Sequence, residues 1–430
     1  MSSLLRATGP FAHNNVRRYA WFTTAFNARF YYPILAILFL DLGLTLSQFV
    51  TLNAIWAATI FVAEVPSGAL ADLIGRRKLL VTAAALMVLE MTVLLLAPKE
   101  AGWWLFGFCA ANRVLSGLAE AAASGADEAL AYDSLEDPEE WDEVLETTIK
   151  LRSGAMVVAM VVGALVYDAG AIGLNKDLAH RLPIAFCLLQ AVAAFFVSLG
   201  FREVGAQEAA GGFRAVFRQT WTAARWVFST KATILVVVAG FLIDGVVRNF
   251  ATINSEYYRL IGIPTYTFGF IAAGAAFLGV YTPRLSRHLV RRFPPLSNFI
   301  FTALWSFVCL YLLGRVWPYW GVIPGMALMA GMAHLGFLMS RYLNALTDSG
   351  RRATVLSVKG LLFNISYGLA SLAFAGAVSW RKGKAGLDDD ESLAWVMGWQ
   401  PWVFLAVFVV FLLVARVMGF PKSIGSSRTG

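Results

Sequence analysis

Long apolar runs, separated by short polar or basic stretches, follow one another along almost the whole chain. A helix needs about 20 mostly apolar residues to cross a bilayer. Twelve segments read as such spans: roughly 19–40, 46–70, 79–97, 103–132, 149–168, 182–200, 230–255, 266–286, 297–314, 318–342, 354–379 and 395–418. The longest polar interruption, 201–229, divides them six and six. The pattern predicts an all-α polytopic membrane protein with twelve transmembrane helices in two six-helix bundles, 1–200 and 230–420. A cytoplasmic linker, 201–229, joins the bundles and a tail, 421–430, follows them. Within the linker Phe213, Val216, Phe217, Trp221 and Ala224 recur at helical spacing, with Arg214, Arg218 and Arg225 on other faces. That segment reads as an amphipathic helix on the inner leaflet, with an unstructured linker as the alternative. The acidic stretch 133–146 reads as a solvated loop with no chemistry.

Composition sharpens the class. The 430 residues are 58% hydrophobic and 14% charged, with a mean hydropathy of +0.65. Soluble domains carry about 25% charged residues, so an ordinary soluble enzyme and a disordered chain are both excluded. The net charge of +8 could suggest nucleic acid, but its placement argues otherwise. With both termini cytoplasmic, about 23 of the 35 Lys and Arg fall on the cytoplasmic side, about 8 outside and four within spans. That asymmetry is what the positive-inside rule expects of a multi-pass protein in the cell (inner or plasma) membrane, with no nucleic-acid partner. The first twenty residues lack the apolar core and cleavage site of a secretory signal, so a retained cytoplasmic N-terminus is expected.

Candidate chemistry is sparse. Cys109, Cys187 and Cys309 sit in apolar runs, which disfavours disulfides. His13, His180, His288 and His334 are scattered over different segments, so neither a metal site nor a cofactor is expected. No G-x-x-x-x-G-K-[ST] loop is present, which disfavours an ATP-driven pump.

One motif is diagnostic. After the second apolar run comes Gly68-Ala69-Leu70-Ala71-Asp72-Leu73-Ile74-Gly75-Arg76-Arg77-Lys78. It resembles the loop between spans two and three of the major facilitator superfamily, G-x-L-a-D-r-x-G-r-k-x, departing at Leu73 where arginine is commonest. The resemblance implies a gate at the cytoplasmic mouth. There Gly68 permits close helix approach, and Asp72 pairs with Arg76 and faces span eleven near Ala353. Asp127, near the end of span four, matches the acidic residue that often completes the cluster. Alternatively the basic residues only anchor topology. The second-half segment 279–292 is basic and lacks the aspartate, reading as a degenerate copy. Arg113-Val114-Leu115-Ser116-Gly117 is similar to the family's span-four motif R-x-x-q-G, whose arginine is associated with proton-coupled transport; serine replaces glutamine. The G-P-x-x-G-G ending typical of drug/proton antiporters is absent from span five.

Ionisable groups at bilayer depth cost about 2.5–3.5 kcal/mol each on insertion scales and invite a functional explanation. In the superfamily, spans one, four, seven and ten line the cavity. The resemblance therefore places Asn27, Arg29, Tyr31, Asn112, Arg113, Ser116, Asp244, Arg248, Asn249 and His334 at the substrate cavity. Proton coupling falls to Glu120 first, then Asp244, then His334; Glu90 stays unassigned, and Lys359 and Asn364 of span eleven face either the cavity or the motif loop. Asp244 and Arg248, four residues apart, could also be a self-neutralising structural pair. The resulting expectation is a secondary active transporter moving a small organic solute, anionic or amphiphilic, by alternating access. Protons or another ion supply the energy, and the chain works as a monomer in the lipid bilayer. The rival reading within the class is a proton-driven efflux pump for amphipathic or cationic compounds. A polytopic membrane enzyme or a transport-dead receptor is a minor alternative.

Overall fold

The computed structural model describes Leu4 and residues 7–204, 218, 221–222, 225–347 and 352–424. Among these the regular elements are helical, as a bilayer demands: with no water at the core, each backbone amide must find its partner within its own helix. The α-helices are α1 Asn14–Asn27, α2 Leu35–Asp41, α3 Leu46–Ile74, α4 Arg76–Leu95, α5 Trp103–Ala123, α6 Ala126–Tyr132 and α7 Trp141–Tyr167. They continue as α8 Lys176–Leu199, α9 Lys231–Leu260, α10 Phe268–Arg292, α11 Pro295–Leu313, α12 Val322–Leu346, α13 Arg352–Ala385 and α14 Asp389–Met418.

Among the described residues ten helices are long and apolar enough to cross a membrane. The segments expected as spans one and four are built differently. Span one is interrupted: α1 ends at Asn27, and α2 begins only after a 3-10 turn over Tyr32–Ile34 that contains Pro33. Span four is α5, which carries Asn112, Arg113 and Glu120. It stops at Ala123, before the left-handed Gly125 (φ +74°), so the expected span 103–132 is two helices. The expected loop 133–146 is shorter than the sequence suggested, because α7 already begins at Trp141. Most of the linker segment expected to be an interfacial helix lies outside the described residues.

Two compact units result: residues 1–44, 58–217 and 265–270 form the first, and 45–57, 218–264 and 271–430 the second. In the first, α4 packs on α5 and α8, and α1 packs on α7 and α8. In the second, α9 packs on α12 and α13, and α11 on α12 and α14. Outward faces stay apolar, as expected for contact with lipid: Leu189 and Phe196 on α8 and Val417 on α14 are all well exposed. Trp103 and Trp104, at the start of α5, are 79% and 77% exposed, in keeping with an interfacial aromatic belt.

Candidate functional site

The break in span one positions the first cluster. The chain leaves α1 at Ala28, and Gly163 of α7 packs directly on the Phe30 carbonyl, where any side chain would collide. The Phe30 amide donates to Cys187 Sγ of α8 at 3.1 Å. This irregular turn turns Arg29 into the first unit, where it is 1% exposed. Its Nη1 donates to Glu90 Oε2 of α4 at 3.4 Å, and its Nη2 stands 3.6 Å from Glu120 Oε1 of α5. The two carboxylates differ in access: the Glu90 side chain is fully buried, whereas that of Glu120 is 33% exposed. Asn112 Nδ2 donates to the Glu90 carbonyl at 3.0 Å, tying α5 to α4 at that level.

Next to Asn112 in the chain, Arg113 is 6% exposed, with its guanidinium 4.7 Å from the centroid of the Phe39 ring. Its Nε and Nη2 are buried without a hydrogen-bond partner. Such a desolvated donor pair is costly unless something accepts from it. Ser116 is buried on the same helix, and Tyr31 is buried in the field of Glu90, Arg29 and Arg113. Asn27 bonds back to its own helix through Thr23 O at 2.7 Å.

In the second unit Asp244 and Arg248 meet at 2.8 Å along α9. Arg248 Nη1 also donates to Asn364 Oδ1 of α13 at 3.0 Å, and its guanidinium lies 5.7 Å from the Tyr367 centroid. The geometry is that of a self-neutralised pair braced by a third residue. Asn249 accepts from Ser371 at 3.3 Å and joins the same two helices. Lys359 lies 5.4 Å from the centroid of the Phe363 ring. His334 of α12 takes a separate position: its Nδ1 is 2.7 Å from Ser286 Oγ of α10, and Phe301 of α11 meets its ring edge-on. Its hydrogen bond and its ring contact both go to helices other than the one that carries the Asp244–Arg248 pair.

The signature segment is helical up to Ile74 and breaks at a single residue, Gly75 (φ +93°). Gly68 and Asp72 lie on α3, but the surroundings of Gly68 and the side chains of Asp72, Arg352, Ala353 and Thr354 fall outside what is described, and so do the expected Asp72 contacts. Arg76 pairs with Asp133 and not with Asp127. Asp133 sits just past the C-terminus of α6, within reach of the start of α4, whereas Asp127 Oδ1 accepts its own neighbour's amide, Glu128 N, at 2.8 Å. The half-buried Asp127 carboxyl, beyond the end of span four, is pushed up to about 7 by burial. Glu203, unremarked in the sequence, accepts the amides of Arg76 and Arg77 at 2.9 and 3.0 Å and so caps α4. Asn15 of α1 exchanges hydrogen bonds with the Arg202 backbone, both at 2.8 Å, closing the same end of the unit.

Sequence reasoning therefore missed Glu90, Asp133 and Glu203 as members of these clusters. Only Glu90 left a signal, as the one ionised group inside the apolar run 79–97. Among the described residues no group of three or more His, Cys, Asp or Glu is placed to hold a metal ion.

Residues 20–375 match the profile of the Major Facilitator Superfamily. Over 311 residues the chain is 22% identical to the quinolone resistance protein NorA of Staphylococcus aureus (strain COL), covering 72% of this chain and 74% of that one. Its fold is similar to that of the nucleoside transporter NupG, with a TM-score of 0.69 at 8% identity over 93% of this chain and 98% of that one. It is also similar to a D-xylose–proton symporter, with a TM-score of 0.64 at 14% identity over 96% and 98%.

Proposed function

The chain belongs to the major facilitator superfamily, and we propose that it is a proton-coupled member taking a small amphiphilic solute with an anionic group. Membership makes it a multi-pass membrane protein and a secondary transporter, not an enzyme. The proposal concerns what is carried and what drives it. Its main support is Arg113, a desolvated guanidinium with two donors unsatisfied and one face on the Phe39 ring. Carboxylate or phosphate oxygens would accept from those donors, and an adjoining apolar body would suit the aromatic wall. Arg29 and Arg248 supply less attraction, because Glu90, Glu120 and Asp244 already offset them.

Glu120 is our proton carrier, since it combines partial exposure with a place at the Arg29 guanidinium. We take the working unit to be one chain, with both termini cytoplasmic as the basic asymmetry favours, two bundles at 1–200 and 230–420, and transport by alternating access. A second reading, proton-driven export of amphipathic drug-like compounds, draws support from the similarity to a protein named for quinolone resistance.

Proteoliposomes with an imposed pH gradient test the proposal, using an aromatic carboxylate and its neutral amide as probes. The expected result is gradient-driven accumulation of the carboxylate alone, abolished in Arg113→Gln and uncoupled from pH in Glu120→Gln. Flux that ignores the carboxylate and Arg113 would overturn the anion reading. Proton-dependent movement of a lipophilic cation instead would establish the second one.

A further inference from the structure

We propose that Glu90 is a positioning residue for coupling: it holds the Arg29 guanidinium in place whichever protonation state Glu120 adopts. The proposal rests on the reading of Glu120 as proton carrier and adds a residue from span three. Two carboxylates share one guanidinium, one on each arm. Arg29 Nη1 is hydrogen-bonded to Glu90, whereas Nη2 has no hydrogen-bond partner and meets Glu120 only as an ion pair at 3.6 Å. The tighter contact is therefore to the carboxylate with no exposed surface, and the looser one to the carboxylate with a third of its surface open.

That asymmetry divides the labour. A fully buried carboxylate beside a buried cation has no ready route for proton exchange and serves as a fixed counter-charge. Glu120, a third exposed, can gain and lose a proton. Without Glu90, Arg29 would be drawn wholly to Glu120 and would favour its ionised form, while protonated Glu120 would leave a buried guanidinium with no anion. With Glu90 in place, protonation of Glu120 leaves the Arg29–Glu90 pair intact and neutral. The charged and titratable neighbours are consistent with this assignment. The segment after α1 contributes Arg29, Tyr31 and Tyr32, α4 Glu90, α5 Arg113 and Glu120, and α8 the Cys187 thiol. Asn112 fixes the height of Glu90 by bonding its carbonyl, so the pair is held from two helices.

Infrared titration of the full chain in lipid, following the C=O stretch of protonated carboxyls, tests this without a known solute. In wild-type protein a carboxyl should titrate and disappear in Glu120→Gln. In Glu90→Gln its midpoint should fall by about one pH unit or more, a tenfold or greater change in proton affinity. Glu90→Asp, with the same charge on a shorter stem, should fall by less. The double variant Arg29→Gln/Glu90→Gln should bring the midpoint back above that of Glu90→Gln. An unchanged midpoint in Glu90→Gln or, should that variant not fold, in Glu90→Asp, overturns the proposal. So does a titrating signal that vanishes with Glu90→Gln and survives Glu120→Gln. A wild-type spectrum identical to that of Glu120→Gln refutes the carrier reading itself, which is a separate result.

Discussion

The Glu203 carboxylate occupies the space where a side chain at Gly75 would stand: a Cβ there would lie 2.6 Å from Glu203 Oε2. The same carboxylate accepts the Arg76 and Arg77 amides, two of the four donors that a helix N-terminus leaves without partners. The glycine thus has two local reasons to be there, its φ of +93° and the anion pressed against it. Gly75→Ala should lose about 1–3 kcal/mol from backbone strain alone. Glu203→Gln keeps one acceptor and loses the charge at the helix terminus, about 0.3–1 kcal/mol. Because both act on one cap, the double variant should be less destabilised than the sum of the singles, as thermal unfolding followed by tryptophan fluorescence would read. Strict additivity would mean the cap is not a shared unit.

Arg76 and Asp133 are 27% and 36% exposed in their side chains, so their pairing should be modest, at most about 1 kcal/mol, and weakened by salt. A double-mutant cycle with Arg76→Ala and Asp133→Ala should show coupling of a few tenths of a kcal/mol or more at low salt. The same cycle with Asp127→Ala should show much less. Equal coupling to both acids would restore Asp127 to the place that the motif resemblance gave it.

What the sequence disclosed and what it hid follow from the physics of the bilayer. Most spans were legible because lipid contact requires uninterrupted apolar length, and hydropathy reads that directly. Asp244 and Arg248 were legible as a pair because i,i+4 spacing is geometry within one helix. Glu90 was not assigned, since α4 is apolar nearly all round and gives no periodicity to say which way a lone carboxylate faces. Its partner Arg29 is 61 positions away, on a turn whose break follows from packing on Gly163. Asp133 hid in an acidic run that is mostly exposed, Asp133 included, so nothing local told which carboxylate meets Arg76.

Asp127 gives a pH signature. Its carboxyl is pushed up to about 7 by burial, against an unfolded value near 3.8. Below pH about 4 both states are protonated and the group is neutral with respect to folding. Between there and 7 the folded state holds a proton that the unfolded state has released, so stability falls as pH rises, and it levels off above 7. Asp127→Asn removes that penalty. It should raise the unfolding temperature by a few degrees at pH 8 and leave it unchanged near pH 4. A shift of equal size at both values would point to a lost or gained hydrogen bond instead.

The Asp244–Arg248 pair can be separated into structural and transport roles by comparing single and paired substitutions. Asp244 is 5% exposed in its side chain and Arg248 23%, so removing either partner leaves a largely desolvated charge. Arg248→Met should therefore cost about 3–5 kcal/mol, because the buried Asp244 carboxylate loses its directly bonded counter-charge and keeps only the field of Lys359. Asp244→Asn should cost less, since Arg248 keeps Asn364 at 3.0 Å and the Tyr367 face. Replacing both, Asp244→Leu with Arg248→Met, substitutes packed apolar volume for two buried charges, an exchange that is often neutral. The paired variant should unfold within about 1 kcal/mol of wild type and keep pH-driven flux in proteoliposomes, as befits a brace between α9 and α13. Retained stability with abolished flux would instead assign the pair to the transport site, where the charges themselves would be needed.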